Sequence, residues 1–412
     1  MIDVDEREGL WMETTIKINM SFSKKYRSGY PLLLKEAVVN PDKLVEEGQI
    51  LNVIDEEGTF IGKGYYGLQN KGLGWIVTDK KDDLVDEGLF RRKLIKAFGR
   101  RRSFFENERT TAFRLFNGEG DGIGGLTIDY FDGFYLINWY SEGIYSFKST
   151  IVDVLSTHTA YRGIYEKKRF ATDGKYVEDD DFIMGERGEF PLIVKENGVN
   201  VAVYLNEGAM VGVFMDQRHV REALLNTYAK GRTVLNTFSY TGAFSVFATL
   251  GGAEKTTSVD LANRSREKTA EHFTLNNVDP STQHIIVEDV FAFFKRAEKR
   301  GDRYGLVILD PPSFARSKKY TFSAAKDYSG LLQQAIRLTE EDGIIVASIN
   351  HSGVSRKKFR KMIDQSFREE GISYKVVESH SLPDDYQVDR HYPEGNYLKV
   401  AIIKRLGQWN EE

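Results

Sequence analysis

Three acids stand where apolar runs stop: Asp260 after TTSV, Asp289 after IIVE and Asp310 after LVIL. An earlier apolar run ends in NTFSYTG, Asn236 to Gly242, and leads into AFSVF. Such residues suit a nucleotide-type ligand, because the strands of an open parallel sheet turn their carboxyl ends toward one crevice. Gly242 stands alone where a dinucleotide fingerprint has three glycines, so a smaller ligand without phosphates fits better. In this reading Asp260 accepts from both ribose hydroxyls, and Asp289 receives an adenine amino group beside Val290 or Phe291. Each acid alone reads equally well as the cap of its following helix; the four strand ends together do not reduce to that. Asp310 is followed by Pro311, Pro312, Ser313 and Phe314. Two prolines after a strand impose a rigid extended turn and remove two backbone donors, leaving carbonyls and the Asp310 carboxylate to grip a planar base.

Placing these residues on one edge requires strands near 233–238, 255–260, 284–289, 304–310 and 343–349, with helices near 242–250, 264–276, 290–300, 323–339 and 355–370. Alternating strands and helices predict an α/β fold with a parallel sheet covered on both faces, and YKVVESH and YLKVAIIKR predict an antiparallel edge. Before them, Asp216 is expected to cap a helix whose inner face carries Val220, Ala223, Leu224 and Tyr228. This domain takes residues 191–412. Residues 14–88 hold short apolar runs between Gly, Asn and Asp turns, which predicts a small β domain. Residues 89–190 follow as a charged linker helix and a small α+β domain with a hairpin turn at Asp132 and Gly133. The GEGDGIGG run lacks the lysine and the following helix of a phosphate loop, and is read as a structural turn. Residues 1–13 are expected to be a leader.

The 412 residues contain no cysteine, which removes disulfides, thiolate metal sites and cysteine nucleophiles. No apolar run reaches the roughly 18 residues of a membrane span, and the N-terminus is acidic, so a cytoplasmic protein without membrane attachment is expected. A net charge of −4 argues against a generally basic surface, yet residues 91–102 hold seven cations in twelve and Ser355 to Lys361 five in seven. A phosphate backbone responds to such local patches; a solvated helix face is the plainer alternative.

The runs NTFSYTGAFS, SVD, EDVF, LDPPSF and HYPEGNYLK resemble class I S-adenosylmethionine-dependent methyltransferases, specifically RlmI-type 23S ribosomal RNA methyltransferases. That resemblance covers nearly the whole chain. It implies an N-terminal PUA-like RNA-binding domain, a central α+β domain and a Rossmann-like catalytic domain. It also implies S-adenosyl-L-methionine as cofactor and 23S ribosomal RNA or a large-subunit precursor as partner, with a homodimer left open. Cofactor contacts are implied at Phe214, Gln217, Arg218, Asn236, Phe238, Tyr240, Thr241, Gly242, Asp260, Leu261, Asp289, Val290 and Asp310. Members that methylate cytosine C5 carry a cysteine just after the fifth strand; here that run is Ile349, Asn350, His351, Ser352, Gly353. Cytosine C5 becomes nucleophilic only after a thiolate adds at C6. Guanine N7 has a usable lone pair, needs only in-line placement, and is the expected target in a cysteine-free branch. Asp310 with Pro311 is then expected to orient the base. His351 either bonds the O6 or N7 edge or is structural. Cytosine C5 methylation and a non-catalytic, cofactor-binding ribosome-assembly role are the alternatives.

Overall fold

The computed structural model describes residues 13–70, 72–170, 181–208, 211–316 and 321–409; the expected leader lies almost wholly outside them. The chain forms two compact units. One holds residues up to 194 with 203–211 and 384–395, the other 195–202, 212–383 and 396 onward.

The first unit begins with β1 (Thr14–Ile18), α1 (Met20–Arg27), β2 (Leu32–Leu34), β3 (Ile50–Asp55), β4 (Phe60–Tyr66) and β5 (Gly72–Thr78). Its first sheet has the order β1-β3-β4-β5-β2. Next come α2 (Glu87–Arg100), α3 (Arg102–Phe105), β6 (Ala112–Asn117), β7 (Leu126–Phe131), β8 (Phe134–Trp139), α4 (Glu142–Tyr145), α5 (Lys148–His158), β9 (Gly163–Lys168) and β10 (Phe182–Gly185). These strands form a second sheet, β10-β9-β8-β7-β6. The hairpin turn falls at Asp132 and Gly133, both with positive φ (48° and 92°), as a two-residue turn matched to strand twist requires. Both sheets share one apolar core running from Ile16 to Ile164. The GEGDGIGG run is a packed turn: a Cβ on Gly120 would lie 1.8 Å from the Gln387 carbonyl oxygen. Gln387 belongs to segment 384–395, which Arg101 Nη2 and Asn117 Nδ2 hold by hydrogen bonds of 2.7 and 2.8 Å to the Asp385 and Gln387 carbonyls.

Two further strands, β11 (Leu192–Glu196) and β12 (Val199–Val203), pair as a hairpin. The second unit then alternates α6 (Arg218–Ala223), β13 (Thr233–Thr237), α7 (Ala243–Leu250), β14 (Lys255–Asp260), α8 (Arg264–Leu275), β15 (His284–Val287), α9 (Val290–Arg300) and β16 (Tyr304–Leu309). A small hairpin follows, β17 (Phe314–Arg316) with β18 (Thr321–Ser323), then α10 (Ala324–Leu338), β19 (Thr339–Ile349), α11 (Arg356–Glu369), β20 (Ile372–His380) and β21 (Lys399–Gln408). The seven-stranded sheet runs β15-β14-β13-β16-β19-β21-β20. Its first five strands are parallel, and β21 enters antiparallel between β19 and β20. Alternation explains why the central strands are apolar throughout. Leu235, Val307, Leu309, Ile345 and Ala347 pack with residues of α9, α10 and α11, while Val234, Leu306, Ile308, Ile344 and Val346 pack with α6 and α7. No described helix is long and apolar enough to cross a membrane.

Candidate active site

Because β13, β14, β15, β16 and β19 run in parallel, their carboxyl ends share one edge, and the strand order reverses between β13 and β16. That reversal opens a crevice where an α/β sheet binds ligands. The register sets Asp260 level with Val287, and Leu309 level with both Thr237 and Ala347, so the predicted residues after these strands are brought to neighbouring positions.

Each residue is held by a specific local interaction. Asn236 is 1% exposed; its amide nitrogen donates to Ser245 Oγ at 3.0 Å, and its Oδ1 has no partner among the described residues. Phe238 and Tyr240 both take φ of 54°, which a bulky side chain rarely adopts. The turn is pinned by Asp260, whose Oδ2 accepts from the Tyr240 backbone N–H at 2.8 Å and whose Oδ1 accepts from Ala262 N–H at 2.9 Å. Gly242 (φ 76°) precedes α7, and a Cβ there would lie 2.4 Å from the Thr269 methyl, so no larger residue fits. Thr241 and Tyr240 bind the loop before α6: Thr241 Oγ1 donates to Gly212 O at 2.7 Å, and Gly212 N–H donates to the Tyr240 hydroxyl at 3.0 Å. Phe214 is 46% exposed with its ring 5.4 Å from that of Tyr240. Leu261 is 55% exposed, Val290 is buried, and Arg218 is buried on α6. Asp289 caps α9, its Oδ1 accepting from Phe291 and Ala292 N–H at 3.1 Å, so the cap reading of this acid holds at the least.

Asp216 does not cap a helix as expected. The chain enters α6 through a 3₁₀ turn, Met215–Gln217, without a side-chain cap, and Asp216 Oδ2 instead accepts from the Tyr397 hydroxyl at 2.8 Å. Its neighbour Gln217 points inward, 3% exposed, and donates to Asp310 Oδ1 at 3.0 Å and Ser348 Oγ at 2.8 Å. Burial raises the Asp310 carboxyl from 3.8 to about 6, and Asp216 adds repulsion, while hydrogen bonding to Ser348 and Gln217 and the charge of Arg221 pull it back. Asp310 thus changes charge close to neutrality. After the buried Pro311, Ser313 Oγ donates to both the carbonyl and the side-chain oxygen of Asn350 (3.0 and 2.8 Å), which ties the Pro-Pro turn to the end of β19. His351 is partly buried there. Its Nδ1 accepts from Gly353 N–H at 2.9 Å, which assigns the ring proton to Nε2.

Sequence reasoning missed Ser348, Tyr328 and Lys399. Tyr328 is wholly buried on α10, its hydroxyl without a partner among the described residues and its ionisation raised by burial and then by Asp310. The one available signal was Lys399 standing directly before the apolar run Val400 to Ile403 of the final strand. The expected basic patch at 91–102 is partly structural: Arg101 is 1% exposed and pairs with Asp121 at 2.7 Å, Arg100 pairs with the same carboxylate at 3.0 Å, and Arg91 pairs with Asp153 at 2.7 Å. The cations of Ser355 to Lys361 are all exposed.

Comparison with known proteins matches residues 113–392 to the S-adenosylmethionine-dependent methyltransferase family and residues 16–79 to a PUA-like domain. The chain is 54% identical to the Bacillus subtilis protein named "Putative ribosomal RNA large subunit methyltransferase YwbD", over 95% of this chain and 99% of that one. It is 30% identical to ribosomal RNA large subunit methyltransferase I of Alteromonas mediterranea, again over 95% and 99%. Among solved structures, SMU.776, described as a "putative methyltransferase complexed with SAH", superposes with a TM-score of 0.86 at 37% identity, covering 95% of this chain and 100% of that one. A strand order that reverses beside Asn236 and Asp310, joined to these matches along almost the whole length, places the chain in the S-adenosylmethionine-dependent methyltransferase family, in the group of YwbD and ribosomal RNA large subunit methyltransferase I.

Proposed function

We propose that this chain methylates N7 of a guanosine in 23S ribosomal RNA of the large subunit. The observation that carries the choice of atom is Asn350 and His351 at the end of β19, in 412 residues without a cysteine. A cytosine C5 reaction needs a thiolate there to add at C6. Guanine N7 needs no covalent adduct and no base, only alignment and exclusion of water.

The residues fit the cofactor. Asn236 Oδ1 is a buried acceptor without a partner, and the left-handed turn through Phe238 and Tyr240 opens on the same edge. In this reading Asn236 and the Tyr240–Gly242 turn hold the methionine end. Asp260 receives the ribose hydroxyls on lone pairs left by its backbone bonds, with Leu261 beside it, and Asp289 Oδ2, Val290 and Phe238 surround the adenine. Phe214, Gln217 and Arg218 close the side nearest α6. Bound S-adenosylmethionine supplies an electrophilic methyl sulfonium. Asp310 then accepts hydrogen bonds from the N1–H and N2–H of the guanine, and His351 Nε2–H suits O6; a bond to N7 itself would occupy the lone pair that reacts.

Nucleoside mass spectrometry of 23S ribosomal RNA from cells with and without this gene tests the reading. Loss of 7-methylguanosine alone is expected; loss of 5-methylcytidine instead would overturn the choice of atom.

The RNA-facing surface in this reading includes the start of α11. Arg356, Lys357, Lys358, Arg360 and Lys361 are exposed there, with no acid in the first turn. Cations at a helix N-terminus oppose the helix dipole, at roughly 0.3–1 kcal/mol each, so helix stability does not account for them. Replacing Lys357, Lys358 and Lys361 by Gln is expected to weaken RNA binding by roughly 10-fold or more near physiological salt, and to flatten its salt dependence. The thermal midpoint should hold or rise. An unchanged slope of affinity against salt would remove α11 from the RNA surface.

A further inference from the structure

Lys399 opens β21 directly opposite Ile349, the last residue of β19, and is 7% exposed. An ammonium carries three N–H donors. Two of them go to carbonyls, of His351 and of Tyr397, each at 3.0 Å. Among the described residues the third finds no acceptor, and no carboxylate lies within ion-pair distance. Burial, and after it the like charge of Arg356, holds its ionisation below the ordinary lysine range. A buried cation beside another cation, with no anion, is a poor structural choice, because two carbonyls do not repay the loss of water around a full charge. An anion brought by a ligand resolves it.

Sheet order decides which ligand. The strand-end residues that fit the cofactor, from Asn236 to Gly242 with Asp260 and Asp289, follow β13, β14 and β15, whereas Lys399 lies beyond β16 and β19 in the order β13-β16-β19-β21. It stands instead beside the His351 turn, and the charge acting on it is that of Arg356, the first of the exposed cations that run to Lys361. We propose that Lys399, with Arg356 outside it, binds a phosphodiester oxygen of the RNA next to the target nucleotide, while its bonds to the His351 and Tyr397 carbonyls fix the turn that faces the base. This rests on the RNA reading above and adds the residue that takes the backbone phosphate.

The test compares the full chain with its Lys399→Met, Lys399→Arg and Arg356→Gln variants on a large-subunit RNA transcript. The readouts are KM and kcat at two salt concentrations, affinity for S-adenosylhomocysteine, and thermal midpoint. Lys399→Met is expected to raise the KM for RNA by about tenfold or more and to lower the salt slope by about one, with the affinity for S-adenosylhomocysteine unchanged and the midpoint unchanged or higher. Lys399→Arg should keep most of the affinity. Arg356→Gln, at an exposed position that leaves folding intact, should raise KM by a smaller factor. A Lys399→Met protein with normal RNA KM but a lowered midpoint would assign the lysine to tying two carbonyls and overturn the proposal, as would a loss confined to S-adenosylhomocysteine binding. If the wild-type chain neither binds nor methylates large-subunit RNA, the functional reading itself falls and takes this one with it.

Discussion

Asp310→Asn is expected to lose methyl transfer on the order of 100-fold while becoming more stable at neutral pH. The catalytic half follows from charge: a carboxylate offers only acceptors to the donor edge of a guanine, whereas an amide replaces one acceptor by a donating NH2 and loses the stronger charge-assisted bonds. The stability half follows from the sign of the shift. With its carboxyl raised from 3.8 to about 6, the folded chain keeps a proton that the unfolded chain releases. The wild-type protein therefore loses stability as pH rises between those values, and above about 6 it carries the full cost of the buried charge. A rise from 3.8 to about 6 would correspond to at most about 3 kcal/mol, and partial solvent access reduces this to roughly 1–2 kcal/mol. The Asn variant should thus melt a few degrees above wild type at pH 8, with the gap closing toward pH 4. Thermal unfolding across that range, with kcat/KM at each pH, reads both halves. A variant that melts lower at pH 8, or that methylates at the wild-type rate, would remove Asp310 from the role assigned to it.

The catalytic architecture was legible because it is built from local units. The parallel strands, acids and helices from Thr233 to Ile349 announce themselves within about thirty residues, and β14 and α9 fall at the expected bounds of 255–260 and 290–300, whereas the β17–β18 hairpin was not read. Long-range features were not legible. Nothing in YLKVAIIKR says that β21 inserts between β19 and β20, or that 384–395 belongs with the first unit. The bond from Gln217 to Asp310 joins residues 93 apart, and no periodicity encodes it. Charge alone misled twice. Arg101 looked like part of a nucleic-acid patch and is a buried partner of Asp121 and the Asp385 carbonyl. Asp216 looked like a helix cap and serves Tyr397, because a distant hydroxyl competes for the same carboxylate.

The largest stability effect is expected at another pair that no sequence pattern marks. Arg221 of α6 donates from Nε and Nη2 to the two carboxylate oxygens of Glu196 (2.6 and 2.7 Å) and from Nη2 to the Phe214 carbonyl (2.8 Å), with its guanidinium 5.5 Å from the ring centre of Phe244. Arg221 and Glu196 are 2% and 4% exposed. Arg221→Met leaves a carboxylate stranded in the interior, which costs about 3–5 kcal/mol and on the order of 10 °C in midpoint. Removing the stranded charge as well, in Glu196→Met with Arg221→Met, should recover most of that loss, since apolar residues of similar volume often replace a buried ion pair without penalty. Cofactor affinity should not recover with it. The Phe214 carbonyl still lacks its donor in the double variant, so the ring that rests on Tyr240 loses its anchor, and S-adenosylhomocysteine is expected to bind roughly tenfold more weakly in both variants. Calorimetric titration beside thermal unfolding separates the two quantities. If affinity returned together with the midpoint, Arg221 would act on the cofactor site only through stability; if the double variant melted below the single one, the ion pair itself would be the stabilising element.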